Sequence, residues 1–163
     1  KKNEVDGLNF FVADMREPLK NQKFNCIFNL FTSFGYFDNR ADNLKVLEAA
    51  KQMLIGDGCF VIDFLNVDYI EKNLVSHEVK IIDNIEFKIS RKIENGLIIK
   101  NIRVIDNKNS YDFQERLQAL KIDYFSELLN QAGFYIHKVF GNYEMQEYKP
   151  ETSERLLLIC KRK

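Results

Sequence analysis

Tryptophan is absent from the 163 residues, and neither sign of charge predominates, with 24 Lys and Arg against 24 Asp and Glu. Lacking a basic excess, the chain has no surplus of cations to displace the counterions of a phosphate backbone, so nucleic acid is not an expected partner. Long apolar runs are missing too. None approaches the roughly 20 residues of a spanning helix, and the opening Lys1-Lys2-Asn3-Glu4 contains no apolar signal core, so no membrane partner is expected. Cysteine is scarce: Cys26, Cys59 and Cys160 each sit inside an apolar run, and their odd number argues against a secreted disulfide framework and for a reducing, cytoplasmic setting. The two histidines, His77 and His137, lie in unrelated segments, and there is no Cys-x-x-Cys or His-x-x-x-His pair, so no metal is expected. The Gly-x-Ser-x-Gly elbow and the Walker pattern are missing as well, which removes the usual contexts for an acyl-transfer nucleophile and a phosphate loop.

What is present is apolar material for a core. Hydrophobic residues make up 45% of the chain, enough for one globular domain that buries roughly two-thirds of its unfolded surface. Leu8 to Ala13 reads as a strand that ends at Asp14-Met15-Arg16-Glu17-Pro18, because a proline disfavours helix at the residue before it. Phe24 to Phe31 reads as a second strand leading into the aromatic loop Thr32 to Phe37. Ala41, Leu44, Val46, Leu47, Ala50, Met53 and Leu54 recur at helical spacing, with Gly56-Asp57-Gly58 as a turn that stops the helix. Cys59 to Leu65 is an almost unbroken apolar run of strand length, the pattern of a strand covered on both faces in a parallel sheet.

Beyond it the pattern changes. Short alternating segments at 78–82, 85–93 and 97–105, separated by Asp83-Asn84 and Glu94-Asn95-Gly96, predict an antiparallel meander, with Tyr111 to Leu120 as its closing strand. Ile122, Phe125, Leu128, Leu129 and Ala132 predict a helix stopped by Gly133, followed by strands at Phe134 to Phe140 and Arg155 to Cys160. The expectation is a single α/β domain over 1–163 with an antiparallel insertion at 78–120.

Asp14 follows the carboxyl end of a predicted strand, where open α/β sheets place their ligand crevice. Two roles suit it: cap of the following turn, or acceptor for an exocyclic amine with Met15 against the ring. The aromatics after the second strand suit either core packing or a ligand wall that Gly35 lets the backbone approach. Tyr36 is read as part of the wall. His137 is read as structural, whereas His77, at the start of the meander, is placed to face a cleft.

Three stretches taken in order, Phe-Phe-Val-Ala-Asp-Met-Arg-Glu-Pro-Leu at 10–19, Phe-Asn-Cys-Ile-Phe-Asn-Leu-Phe-Thr-Ser-Phe-Gly-Tyr-Phe at 24–37, and Leu-Ile-Gly-Asp-Gly-Cys-Phe-Val-Ile-Asp-Phe at 54–64, resemble the class I S-adenosylmethionine-dependent methyltransferases. The later Asn130-Gln131-Ala132-Gly133-Phe134 and the strand from Arg155 are similar to the family's last two strands and their approach. The resemblance implies a Rossmann-like sheet, S-adenosyl-L-methionine as cofactor, Asp14 and Met15 at its adenine, and Asn29, Leu30 and Phe31 lining the cofactor. It implies a small-molecule acceptor beneath a lid formed by the meander. Tyr36, His77, Tyr111 and Arg116 are the candidate substrate contacts by position.

The sequence departs from the family pattern at Gly56 and Asp57, which stand for proline and glycine. A Gly-x-Gly loop after a first strand, and an acid after a second, are missing. The chain thus resembles the last two-thirds of such an enzyme, and a homodimer partner or a further segment is expected to supply the neighbouring strands. The rival expectation is a non-catalytic interaction module on a truncated methyltransferase fold. A third is a Rossmann-like domain for another adenine cofactor.

Overall fold

The computed structural model describes residues 7–163. Its elements follow as β1 (Phe24–Asn29), α1 (Arg40–Met53), β2 (Leu54–Leu65), α2 (Val67–Asn73), β3 (His77–Ile82), β4 (Ile85–Glu94), β5 (Leu97–Asp106), β6 (Asn109–Gln118), α3 (Ile122–Ala132), β7 (Phe134–Phe140) and β8 (Arg155–Arg162). They build two four-stranded sheets, β1-β2-β8-β7 and β3-β4-β5-β6. Only β1 and β2 run parallel, joined by the crossover through α1; the other pairs are antiparallel. Among the described residues no helix is long and apolar enough to cross a membrane.

Alternation along the strands decides which side of the first sheet becomes core. The cross-strand row Ile27, Phe60, Cys160 and Ile136 joins the cluster built with α1 and α3, and Phe60 and Cys160 are fully buried in it. From α3 come Phe125, Leu128, Leu129 and Ala132, the helical stripe read from the sequence. Phe125 packs against Phe34 and Phe64 with ring centroids 5.4 and 5.1 Å away. Each such side chain stabilises the fold by roughly 1.5–3 kcal/mol on burial. Gly133 ends α3 in a left-handed conformation, φ 80°, its N–H donating to the Leu129 and Asn130 carbonyls.

The next row, Phe28, Val61, Ile159 and Lys138, faces the other way, and Phe28 is 59% exposed. The expected cover on both faces of Cys59 to Leu65 is therefore present only toward its end, where Asp63 is 1% exposed. There Asn66 donates to the carbonyls of Pro150 and Ser153 at 2.8 and 2.7 Å, tying the β7–β8 connection to the end of β2.

Four expectations need correction. Residues 9–13 join neither sheet, and Phe10, Phe11 and Val12 are exposed. An extended segment needs a neighbouring ladder to satisfy its N–H and C=O groups, and among the described residues none lies beside this one. Gly56-Asp57-Gly58 is not a terminal turn but part of β2. The register slips between the pairs Phe24–Leu54 and Cys26–Cys59, and a Cβ at Gly58 would sit 2.9 Å from the Asn25 carbonyl oxygen. The helix instead stops at Leu54, whose backbone is already extended. Thirdly, α2 was not anticipated, because seven residues are too few to show a helical period.

The fourth correction concerns the thiols. The parallel register sets Cys26 opposite Cys59 with Cα atoms 4.8 Å apart, and the two are joined as a disulfide. The pairing was not expected from the cysteine count, because only the strand register brings these two residues together. Cys160 is the free cysteine, and burial pushes its thiol up to about 12. A thiol held protonated in this way does not attack alkylating agents at pH 8. Iodoacetamide at that pH should therefore modify no cysteine in the oxidised native protein and two, Cys26 and Cys59, after reduction. Mass spectrometry showing modification of native Cys160 would contradict the packing.

The second sheet is the expected meander, closed by β6. Its turns place Asp83, Asn84, Asn95, Gly96 and Asn107 at positive φ, the backbone that tight hairpins demand and that these residue types adopt most readily. It is fastened to the rest of the protein at one end: Gln118 N–H donates to the Gly35 carbonyl at 2.9 Å, and Leu117 and Leu120 enter the core.

Candidate functional site

Because β1 and β2 are parallel, their carboxyl ends open on the same side, and the chain leaving β1 must turn sharply there. It does so through Leu30 to Ser33, with Phe31 and Thr32 both left-handed at φ 56° and 60°. Ser33 N–H donates to the Leu30 carbonyl at 3.2 Å, and Thr32 N–H to the Asp63 carbonyl at 3.1 Å. Phe31 N–H donates to the Asp63 carboxylate at 2.8 Å. Asn29, just before this turn, lines one cavity, and Phe31 and Thr32 within the turn line another.

The first, about 250 Å³, is walled by Asp14, Met15 and Asn29 together with Phe11, Phe28 and Phe60. Three residues singled out in the sequence thus share one apolar cavity. Asn29 lines this cavity, and its Oδ1 atom is buried without a hydrogen-bond partner in the protein. Asp14 accepts from the Arg16 backbone N–H at 2.9 Å and from its guanidinium at 3.0 and 2.6 Å. Those side-chain hydrogen bonds lower its pKa to about 2, so it is an anion at every physiological pH. Arg16 is held in turn by Asp42 at 3.1 Å and by the face of Phe37 at 4.6 Å. The two roles considered for Asp14 coexist geometrically: it caps the turn and lines the cavity.

The second cavity, about 260 Å³, lies between the turn and the meander, with Phe31, Tyr36, Arg91, Lys100, Glu115 and Leu117 among its walls. Burial, and then the charge of Glu115, raise the Tyr36 pKa, so the phenol stays protonated. Lys100 pairs with Glu115 at 3.2 Å and Arg91 with Glu78 at 2.8 Å.

The other candidates fall elsewhere. Leu30 lines neither cavity and serves the turn through its carbonyl, while Phe31 belongs to the second cavity rather than to that of Asp14. Arg116 is one residue out of phase: period-two alternation turns Glu115 and Leu117 to the cavity and Arg116 away from it. His77 lines a separate cavity of about 400 Å³ on the meander with Lys88, Asn101 and Arg103. Tyr111, paired with Val104 toward the far end of β6, is 53% exposed and lines neither site cavity. Sequence reasoning missed Asp63, Arg91, Lys100 and Glu115. Only Asp63 carried a signal, as a lone carboxylate inside an apolar strand that must find a partner when buried.

Neither a protein-family model nor a curated protein matches the sequence. Solved structures do. A S-adenosylmethionine-dependent methyltransferase from Clostridium acetobutylicum ATCC 824 superposes with TM-score 0.81 at 19% identity, over 92% of this chain and 63% of that one. The CcbJ methyltransferase from Streptomyces caelestis superposes with TM-score 0.79 at 14% identity, over 93% and 62%. CalS10, a SAM-bound amino pentose methyltransferase from Micromonospora echinaspora, gives TM-score 0.66 at 14% identity, over 93% and 63%. The fold is that of the S-adenosylmethionine-dependent methyltransferases. The chain spans a little under two-thirds of the length of these structures.

Within the methyltransferase fold, the join between sheet and meander rests on Gly35. Its φ is +86°, and an added Cβ would lie 3.3 Å from methyl groups of both Leu117 and Leu120. Gly35→Ala should destabilise the protein by about 1–2 kcal/mol, the cost of a left-handed alanine. At this chain length that corresponds to a fall of roughly 2–8 °C in Tm. A variant that melts with the parent in a calorimetric scan would show that this join carries little stability.

Proposed function

We propose that this chain forms the larger part of an S-adenosyl-L-methionine-dependent methyltransferase for a small-molecule nucleophile, with residues 77–118 inserted as a lid over the acceptor. The observation that carries the reading is an apolar cavity at the carboxyl end of β1 that Asp14 and Asn29 both line, with the Asn29 Oδ1 unpartnered in the protein. Two acceptors in an apolar slot suit an exocyclic amine on a flat ring, and Met15 and Phe28 supply the packing surface. When bound, the cofactor supplies a methyl group on a sulfonium, transferred by in-line displacement. The protein's part is orientation and the exclusion of water. The acceptor side in this reading is the second cavity, where Tyr36, Arg91, Lys100 and Glu115 offer polar contacts among apolar walls. The amino pentose specificity in the name of one structural neighbour supports a small-molecule acceptor.

Among the described residues the outer edge of β1 is unpaired, and with the exposed Phe28 and Phe31 it favours a second reading, an interaction module in which this face only docks a partner. The two readings differ at Asn29. No Gly-x-Gly loop is present to hold the methionine and ribose portions, so the chain alone should bind adenosine or S-adenosylhomocysteine no tighter than about 0.1 mM. Weak binding of that order is measured by NMR titration, and the shifts should fall on the amides of Asp14, Met15 and Asn29. Asn29→Leu should abolish them while raising stability by about 1 kcal/mol, since it removes an unsatisfied buried acceptor. Shifts that persist in Asn29→Leu, or that map to the meander alone, would refute the cofactor assignment and leave the interaction module.

A further inference from the structure

Asp63 is a carboxylate with 1% exposure in a strand whose neighbours are apolar. Hydrophobic residues of similar volume usually serve stability as well as a buried ion pair does, so stability alone does not account for a charge here. Its hydrogen bonds do. One carboxylate oxygen accepts from Phe31 N–H at 2.8 Å and from the Tyr143 hydroxyl at 3.0 Å. The other accepts from Arg155, through Nε at 2.9 Å and through a closer contact from Nη2. Arg155 in turn donates to the Thr32 hydroxyl at 3.0 Å, and its guanidinium lies over the Tyr143 ring, 5.9 Å from the centroid. The Asp63 backbone carbonyl takes Thr32 N–H. Both amides held by this one residue belong to the consecutive left-handed, non-glycine pair Phe31 and Thr32, a backbone that persists only where its surroundings impose it. The result is a Phe31 side chain 81% exposed at the wall of the second cavity rather than folded into the core.

We infer that Asp63, braced by Arg155 and Tyr143, is a positioning residue that holds the Phe31–Thr32 turn in its left-handed form and so sets the place of Phe31 at the second cavity and of Asn29, two residues earlier, at the first. The inference rests on the reading of these cavities as cofactor and acceptor sites, but its structural half stands on its own measurement.

Amide hydrogen exchange and adenosine titration are followed by NMR on the 163-residue chain in three variants: Asp63→Asn, Tyr143→Phe and Thr32→Val. In Asp63→Asn, exchange at Phe31 and Thr32 should accelerate at least tenfold while the amides of α3 keep their protection, and the adenosine shift at Asn29 should weaken at least fivefold. Tyr143→Phe and Thr32→Val each remove a single brace without burying a lone charge, and should give smaller changes of the same kind. Unchanged protection at Phe31 and Thr32 in all three variants would overturn the positioning role, as would acceleration spread evenly over α3 and the turn. If adenosine produces no shift in the parent either, the cofactor reading has failed, and the exchange data alone decide whether Asp63 holds the turn.

Discussion

The parallel pairing of β1 with β2 is the constraint from which the other features follow. A parallel pair demands a crossover, and α1 supplies both that crossover and half of the helical cover on one face of the sheet. Parallel register also puts the two carboxyl ends side by side, so the Asp63 carboxylate near the end of β2 reaches the amide that follows β1. The same register brings Cys26 against Cys59. Antiparallel pairing would scatter these contacts to opposite ends of the sheet.

The sheet is covered unevenly, and the unevenness has a physical reading. Ile27, Phe60, Cys160 and Ile136 pack under α1 and α3, whereas the row through Phe28 and Val61 looks outward. Sheets with parallel strands are ordinarily covered on both faces, because apolar side chains project from each. The uncovered row and the free edge of β1 lie beside the cavity of Asp14 and Asn29. That cavity sits at the edge of the sheet, walled by Phe28 of the outward row and by Ile27 and Phe60 of the core row together with Val46 and Ala50 of α1. Further into the core, aromatic contacts around Phe125 close the packing between α3 and the sheet.

The meander joins the sheet through few bonds, but its position matters for chemistry. Glu115, Lys100 and Arg91 reach the second cavity from adjacent strands at the meander's fastened end, while the remainder extends away from the core. Gly35 makes this possible by letting two leucines of the β6 end press against the backbone of the aromatic loop. The turn residues Phe31 and Thr32 line that second cavity from the side of the sheet.

Local chemistry was enough to read much of this from the sequence. The helical stripe Phe125, Leu128, Leu129 and Ala132, the hairpin turns at Asp83-Asn84 and Asn95-Gly96, and the left-handed stop at Gly133 are each set by residues close in the chain. Asp14, Met15 and Asn29 line one cavity, but the strand that the sequence predicted before Asp14 is not formed, and Asn29 was named through the family resemblance. What only the tertiary structure decided depends on register and on neighbours. Whether residues 9–13 form a strand is fixed by the presence of a ladder beside them, which their own side chains do not specify. Which of Glu115 and Arg116 faces the second cavity turns on a single-residue phase, and Cys26 meets Cys59 only through the register of strands that bring together residues 33 apart in the chain. Asp63 announced itself as a charge out of place, but its partners, Phe31, Tyr143 and Arg155, come from parts of the chain that only folding brings together. The physical reason is common to all: side-chain pattern determines conformation over a few residues, whereas pairing and burial are properties of surfaces assembled from the whole chain.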